Sequence, residues 1–325
     1  MNVIDLHCDT LMALNKSRIL RTDKKFNQND LHIDLEKLKQ GDYMLQCFAA
    51  FVDVEKSSES PLLEVLQEID IFHQMMDKYS KDIAPVYEFS DIRKNRDQGK
   101  ISGLLTLEDG GVCMGDLSAL RMLHRLGARM MTLTWNYENS LGYPATPFGK
   151  AAKTANQGLK EKGIAFLSEM ERLGMIIDVS HLSDEGFYDV AKYTHKPFLA
   201  SHSNSRTQCS HPRNLTDDML RLLAERGGIA GMNFYFSFLH KDLARLKERG
   251  TAEAVVDHME HIRNVAGLEI IALGSDFDGI DQTLDLKDAS TMGVLVSAME
   301  KRGFTASEIE KVFSLNAMRF FKEVL

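Results

Sequence analysis

Residues 1–10, MNVIDLHCDT, run from an apolar pair, Val3-Ile4, straight into alternating polar groups at Asp5, His7 and Asp9. Successive side chains of a β-strand point to opposite faces, so His7 and Asp9 fall on one side with a single residue between them. Neutral imidazole and carboxylate oxygen are both zinc ligands, which makes the pair half of a metal site. His-x-Asp spacings are common by chance, and the weight comes from recurrence. Four more apolar runs end in the same kind of group: residues 101–107 before Glu108, 175–179 before Ser180-His181, 197–200 before Ser201-His202, and 270–273 before Gly274-Ser275-Asp276.

Working outward, the remaining strands read as 43–52 (YMLQCFAAFV), 128–134 (ARMMTLT) and 229–233. Helical patterns fill the intervals at 32–39, 62–79, 116–126, 156–173 and 253–265, with further starts at Ser183 and Thr216, and a last helix at 305–320. In 62–79, Leu62, Leu63, Leu66, Ile69, Phe72 and Met76 mark one broad stripe. Residues 16–30 read as a polar, basic loop of a length compatible with a lid, and 139–149 as a Gly/Pro-rich loop. Eight short apolar strands separated by room for helices have the rhythm of an α/β fold of the (β/α)8 TIM-type barrel. A doubly wound sheet is disfavoured, because no glycine-rich turn follows the first strand and polar groups collect after several strands rather than at one switch point. With no repeat or linker, residues 1–325 read as one barrel domain with its site at the C-terminal ends of the strands.

The chain has 325 residues, 44% of them hydrophobic, ample for a large core. A net charge of -8 and no dense Lys/Arg stripe argue against a nucleic-acid partner. No run approaches the length of a membrane span and no signal peptide is visible. Cys8, Cys47, Cys113 and Cys209 form no CxxC pair and read as free thiols, mostly buried, in a reducing compartment. The expectation is a cytoplasmic protein without a membrane partner.

In a barrel the ends of all strands project at one face, so His7, Asp9, Glu108, His181, His202 and Asp276 become neighbours. Those donors suffice for two zinc ions with Glu108 bridging, an arrangement that acidifies water and polarises a carbonyl. Asp276 is then free to move a proton between nucleophile and leaving group. Amide and ester cleavage are not separated by these parts.

The ordered set IDLHCDT, LTLEDGG, DVSHLSDE, SHSNSRTQCSHPRNLTDD and LGSDFDGI resembles the membrane dipeptidase (renal dipeptidase) family of metallopeptidases, among the amidohydrolase-like barrels, over nearly the whole chain. The resemblance implies a binuclear zinc dipeptidase with His7, Asp9 and Glu108 on one metal and Glu108, His181 and His202 on the other. It also implies proton transfer by Asp276, a substrate carboxylate held by Arg213, tolerance of a D-residue at the second position, and homodimerisation. An arginine fork suits a carboxylate, since two parallel charge-assisted bonds fix it; Arg206 is read instead as a loop salt-bridge former. In LTWNYENSLG, Trp135 stands where the animal relatives have a histidine, while Asn136 matches. The indole N–H donates one bond and cannot titrate, so Trp135 reads as a pocket wall, with Tyr137 and Tyr143 lining the same region. The animal relatives are secreted and lipid-anchored, and nothing in this sequence supports either feature. Alternatives on the same metal site are N-acyl amino acid deacylation and lactone hydrolysis. A non-catalytic peptide-binding barrel is the alternative of another class.

Overall fold

The apolar runs fold as parallel strands whose outer faces pack on helices. The computed structural model describes residues 2–22, 24–57, 60–145, 157–281 and 284–325. Its strands are β1 (Val3–Asp5), β2 (Tyr43–Phe51), β3 (Ile83–Pro85), β4 (Ile101–Glu108), β5 (Met130–Thr132), β6 (Ile176–Asp178), β7 (Leu199–Ala200), β8 (Ile229–Met232) and β9 (Ile271–Leu273). The order β2-β1-β9-β8-β7-β6-β5-β4 is closed by a long β2–β4 pairing, giving an eight-stranded parallel barrel flanked by helices. These eight strands are the eight read from the sequence. β3 is a ninth, outside the ring: it pairs with Ile101, Ser102 and Gly103 of β4, while β5 pairs further up with Thr106 and Leu107. Three residues ending in a proline announce no strand, and β3 and the following helix Phe89–Asp97 escape sequence reading for that reason.

Every barrel strand contributes to one buried cluster: Ile4, Leu45, Leu104, Met130, Ile176, Leu199, Ile229 and Ala272. Phe320, Phe321 and Val324 of the C-terminal helix Asn316–Val324 join it and close the N-terminal end of the barrel. A site on this molecule must therefore open at the other end. Near that end Gly231 and Gly274 pass so close to the Ser201 carbonyl that a Cβ on either would overlap it. All four cysteines are buried and free.

One expected loop is corrected. Residues 16–20 belong to the helix Thr10–Leu20, which starts directly after Asp9 and ends at Arg21 in the left-handed conformation (φ 57°). Leu11 and Leu14 face the core, and the helix packs on Pro61–Lys78 rather than forming a lid. The 139–149 loop beyond residue 145, and Asn156, lie outside the described residues. The helix expected at 156–173 is seen as Glu161–Leu173.

Candidate functional site

The strands end in residues that leave the sheet sharply. His181, Asp276 and Asp109, three, three and one residues beyond β6, β9 and β4, have φ of 69°, 63° and 75°. Non-glycine residues rarely hold this left-handed conformation, and it persists where the surroundings over-determine it. Here it turns His181 and Asp276 over the mouth of the barrel.

The expected ligands meet there. His7, Asp9, Glu108, His181 and His202 are all buried. His7 Nε2 lies 3.5 Å from Asp9 Oδ2 and 3.5 Å from Glu108 Oε2. Glu108 Oε1 lies 3.0 Å from His181 Nε2 and 3.8 Å from His202 Nε2. Two triads result, His7–Asp9–Glu108 and Glu108–His181–His202, sharing Glu108, with the donor atoms of each within 4.8 Å of one another. A third, His7–His202–Asp276, brings Asp276 to the same space, its Oδ1 3.8 Å from His7 Nε2.

The residues fit a pair of zinc ions on grounds of hydrogen-bond supply. Ser201 Oγ gives its one proton to Asp178, so it accepts the Nδ1–H of His202 at 2.7 Å. Asn136 Oδ1 likewise accepts from His181 Nδ1 at 3.0 Å. Both rings are thereby left with a lone pair on Nε2, and these two atoms face each other across 2.9 Å. Two lone pairs at that distance repel unless a cation lies between or beside them. His7 Nε2 and Asp9 Oδ1 are buried without a hydrogen-bond partner. A Cβ at Gly279 would overlap Asp9 Oδ2, so the glycine keeps open a space that any side chain would fill.

The electrostatics agree. Burial and then the facing Asp9 carboxylate push Glu108 up to about 8. Burial opposes protonation of His7, yet the carboxylates of Glu108 and Asp9 outweigh it and hold its pKa well above the ordinary value. Burial, with Arg213 and His7 adding to it, holds His181 and His202 well below theirs. A buried cluster so rich in carboxylate, with neutral imidazoles aimed into it, is short of positive charge.

A cavity of about 490 Å³ opens over the cluster, lined among others by Asp9, Glu108, Trp135, Asn136, His181, Arg213 and Asp276. Arg213 is buried, stacks on Phe238 at 5.4 Å, and leaves Nε and Nη2 without partners; only Nη1 reaches Ser203 Oγ, at 3.4 Å. Burial lowers its pKa to about 10, so it stays charged at neutral pH. Arg206, by contrast, makes a bidentate pair with Asp184 at 2.6 and 2.7 Å. Trp135 packs between Phe51 and Tyr137, with ring centroids 4.9 and 5.4 Å away. Tyr143 lies under Lys160 Nζ at 4.8 Å.

Several residues here escape sequence reading. Asn233 donates Nδ2–H to Asp276 Oδ2 at 2.9 Å; as a polar residue ending an apolar run, it carries the same signal as the ligands. Gly279, Phe51 and Phe238 carry no local signal, since only the closed barrel sets them beside the site.

A closed parallel barrel with a binuclear donor set at its C-terminal face defines a catalytic, metal-binding hydrolase of the amidohydrolase-like class. The chain belongs to the membrane dipeptidase family, peptidase family M19, which it matches over residues 1–325. An uncharacterised dipeptidase of Schizosaccharomyces pombe is 33% identical, covering 99% of this chain and 80% of its own length. The dipeptidase tcpJ of Claviceps purpurea is 30% identical, covering 98% and 76%. A metallopeptidase from Rhodobacter sphaeroides, solved with a phosphinate mimic of the dipeptide L-Ala-D-Ala, superposes with a TM-score of 0.90 at 26% identity, covering 100% of this chain and 99% of that one.

Proposed function

We propose that this chain is a zinc-dependent dipeptidase that holds the substrate's free carboxylate at Arg213 and accepts a D-residue at the C-terminal position. The observation that carries it is a buried guanidinium with two unpartnered nitrogens, opening on the same cavity as the metal donors. Burying an arginine without a partner is costly, and a substrate carboxylate bound there offsets that cost. The Rhodobacter sphaeroides relative, bound to a mimic of L-Ala-D-Ala, supports a D-residue next to that arginine.

His7, Asp9 and Glu108 would hold one ion, and Glu108, His181 and His202 the other. Bound there, zinc supplies Lewis acidity and a water acidic enough to attack at neutral pH. Asp276 would accept a proton from the attacking water and deliver it to the departing amine. Its Oδ2 is committed to Asn233, which leaves Oδ1, on the His7 side, to carry the proton. Burial raises its pKa to about 6. Trp135 and Phe51 wall the cavity.

No described helix is long and apolar enough to cross a membrane. Four buried free thiols support a cytoplasmic setting, and the family resemblance supports a homodimer of single-domain barrels.

The test is release of free amino acid from L,L- and L,D-dipeptides by zinc-loaded protein, with and without chelator. Chelator-sensitive cleavage of both series is expected. Intact dipeptides beside hydrolysed N-acetyl amino acids would overturn the reading.

A further inference from the structure

A second cavity, of about 420 Å³, lies beside the first, and three side chains, Met12, Phe51 and Trp135, line both. The partition is one aromatic layer thick: the Trp135 ring sits 6.2 Å from His181 on the metal side and 4.9 Å from Phe51. Its place in the ring matters. In the closed order β1-β2-β4-β5-β6-β7-β8-β9, Phe51 at the end of β2 is diametrically opposite the loop after β7 that carries Arg213. A dipeptide with its carboxylate on Arg213 and its peptide bond over the metals therefore points its N-terminal residue at this partition.

The second cavity has a mixed lining. Val52 extends the wall begun by Phe51, Lys16 lies one helical turn beyond Met12, and Asp53, Lys56 and Glu64 also line it. Asp53 pairs with Lys56 at 2.9 Å, and Glu64 accepts from Ser57 at 2.5 Å. Glu68, buried between the two, takes the Phe51 N–H at 2.8 Å, and burial pushes its carboxyl up toward the neutral form. Two lysines and three carboxyl groups thus line this cavity.

We propose that this cavity receives the side chain of the substrate's N-terminal residue and selects long side chains with a polar or charged end, the stem passing the edge of Trp135. The inference rests on the dipeptidase reading, with Arg213 on the carboxylate.

The experiment compares kcat/KM for L-Ala-, L-Leu-, L-Lys- and L-Glu-D-Ala in zinc-loaded wild type and Lys16→Glu. Lysyl and glutamyl substrates should exceed the alanyl one by about tenfold or more, the effect of a few filled methylene positions. Lys16 is exposed, and reversing its charge should raise the lysyl-to-glutamyl ratio at least about threefold, as for a solvated charge contact. Trp135 is the single tryptophan, so its emission gives a readout independent of turnover. Phosphinate mimics with a lysyl first side chain should shift the emission, and methyl ones should shift it less. Cleavage of L-Ala-D-Ala with no gain for longer residues, an unmoved ratio and equal emission changes would overturn the inference while leaving the dipeptidase reading intact. No cleavage of any dipeptide would remove both.

Discussion

Asp276 shows how one residue's role follows from what holds it. Its backbone sits at φ 63°, one carboxylate oxygen is tied to Asn233 and the other looks toward His7. Asp276→Asn keeps the shape and removes the proton carrier. Turnover should fall by about 10²–10⁴ with zinc content unchanged, the usual share of general acid–base help; near-normal turnover would take Asp276 out of the mechanism. Arg213 is tested by contrast between substrates. Arg213→Ala should cost roughly 2–5 kcal/mol of transition-state binding for dipeptides, the price of truncating a buried charge pair. Dipeptide amides, lacking the carboxylate, should lose far less, and an equal loss for both would refute the pairing. His7, Asp9, Glu108, His181 and His202 were legible because each lies at, or within four residues of, the end of a strand. Gly279 was not, because its reason for being glycine is Asp9, 270 positions away in the chain.

Among the elements, the helix Thr251–Ala266 ties the loops around the site to the barrel wall through His258. Its Nδ1 accepts the Ser205 N–H at 3.1 Å and its Nε2–H donates to the Leu239 carbonyl at 3.1 Å, so the ring must be neutral. Burial accordingly lowers its pKa to about 4. The unfolded chain, with an ordinary histidine, binds more protons between pH 6.5 and 4, so this group's contribution to stability falls as pH drops through that window. The loss should reach about 2 kcal/mol by pH 5. His258→Gln should flatten that part of the pH slope, read from urea unfolding of metal-free protein at pH 7 and pH 5; identical slopes would assign the pH dependence elsewhere. Helix starts were legible where cap chemistry is local: Ser183 caps by accepting from Gly186 N, and Thr305 and Glu308 form the full capping box. The helix from Thr10 was not, because its polar Asn15 and Ser17 are buried by tertiary neighbours rather than by any apolar stripe.

At the scale of the whole molecule the barrel is packed by its own side chains. Its interior is filled from every strand and stoppered by Phe320 and Phe321, and the ligand side chains are held from behind by Asn136, Ser201 and Asp178. Chelated protein should therefore keep its far-UV circular dichroism and stay folded. Zinc, binding the native site, should raise Tm by roughly 4 °C for each ion present at 100 times its Kd. A melting temperature indifferent to zinc and chelator alike would show that these donors hold no ion.

Eight strands in one ring, and a common end of the barrel for the polar residues that follow them, can be read along the chain. Each of those is a local matter: an apolar run sets a strand, and the residue after it sets what that strand presents. Tertiary structure decided what depends on residues far apart. It set the Nε2 lone pairs of His181 and His202 face to face, left Nε and Nη2 of Arg213 unpartnered while Arg206 found Asp184, and placed Trp135 and Phe51 as a wall between two cavities. Those outcomes turn on distances between strands and loops that only closure of the barrel fixes, and no periodicity along the chain encodes them.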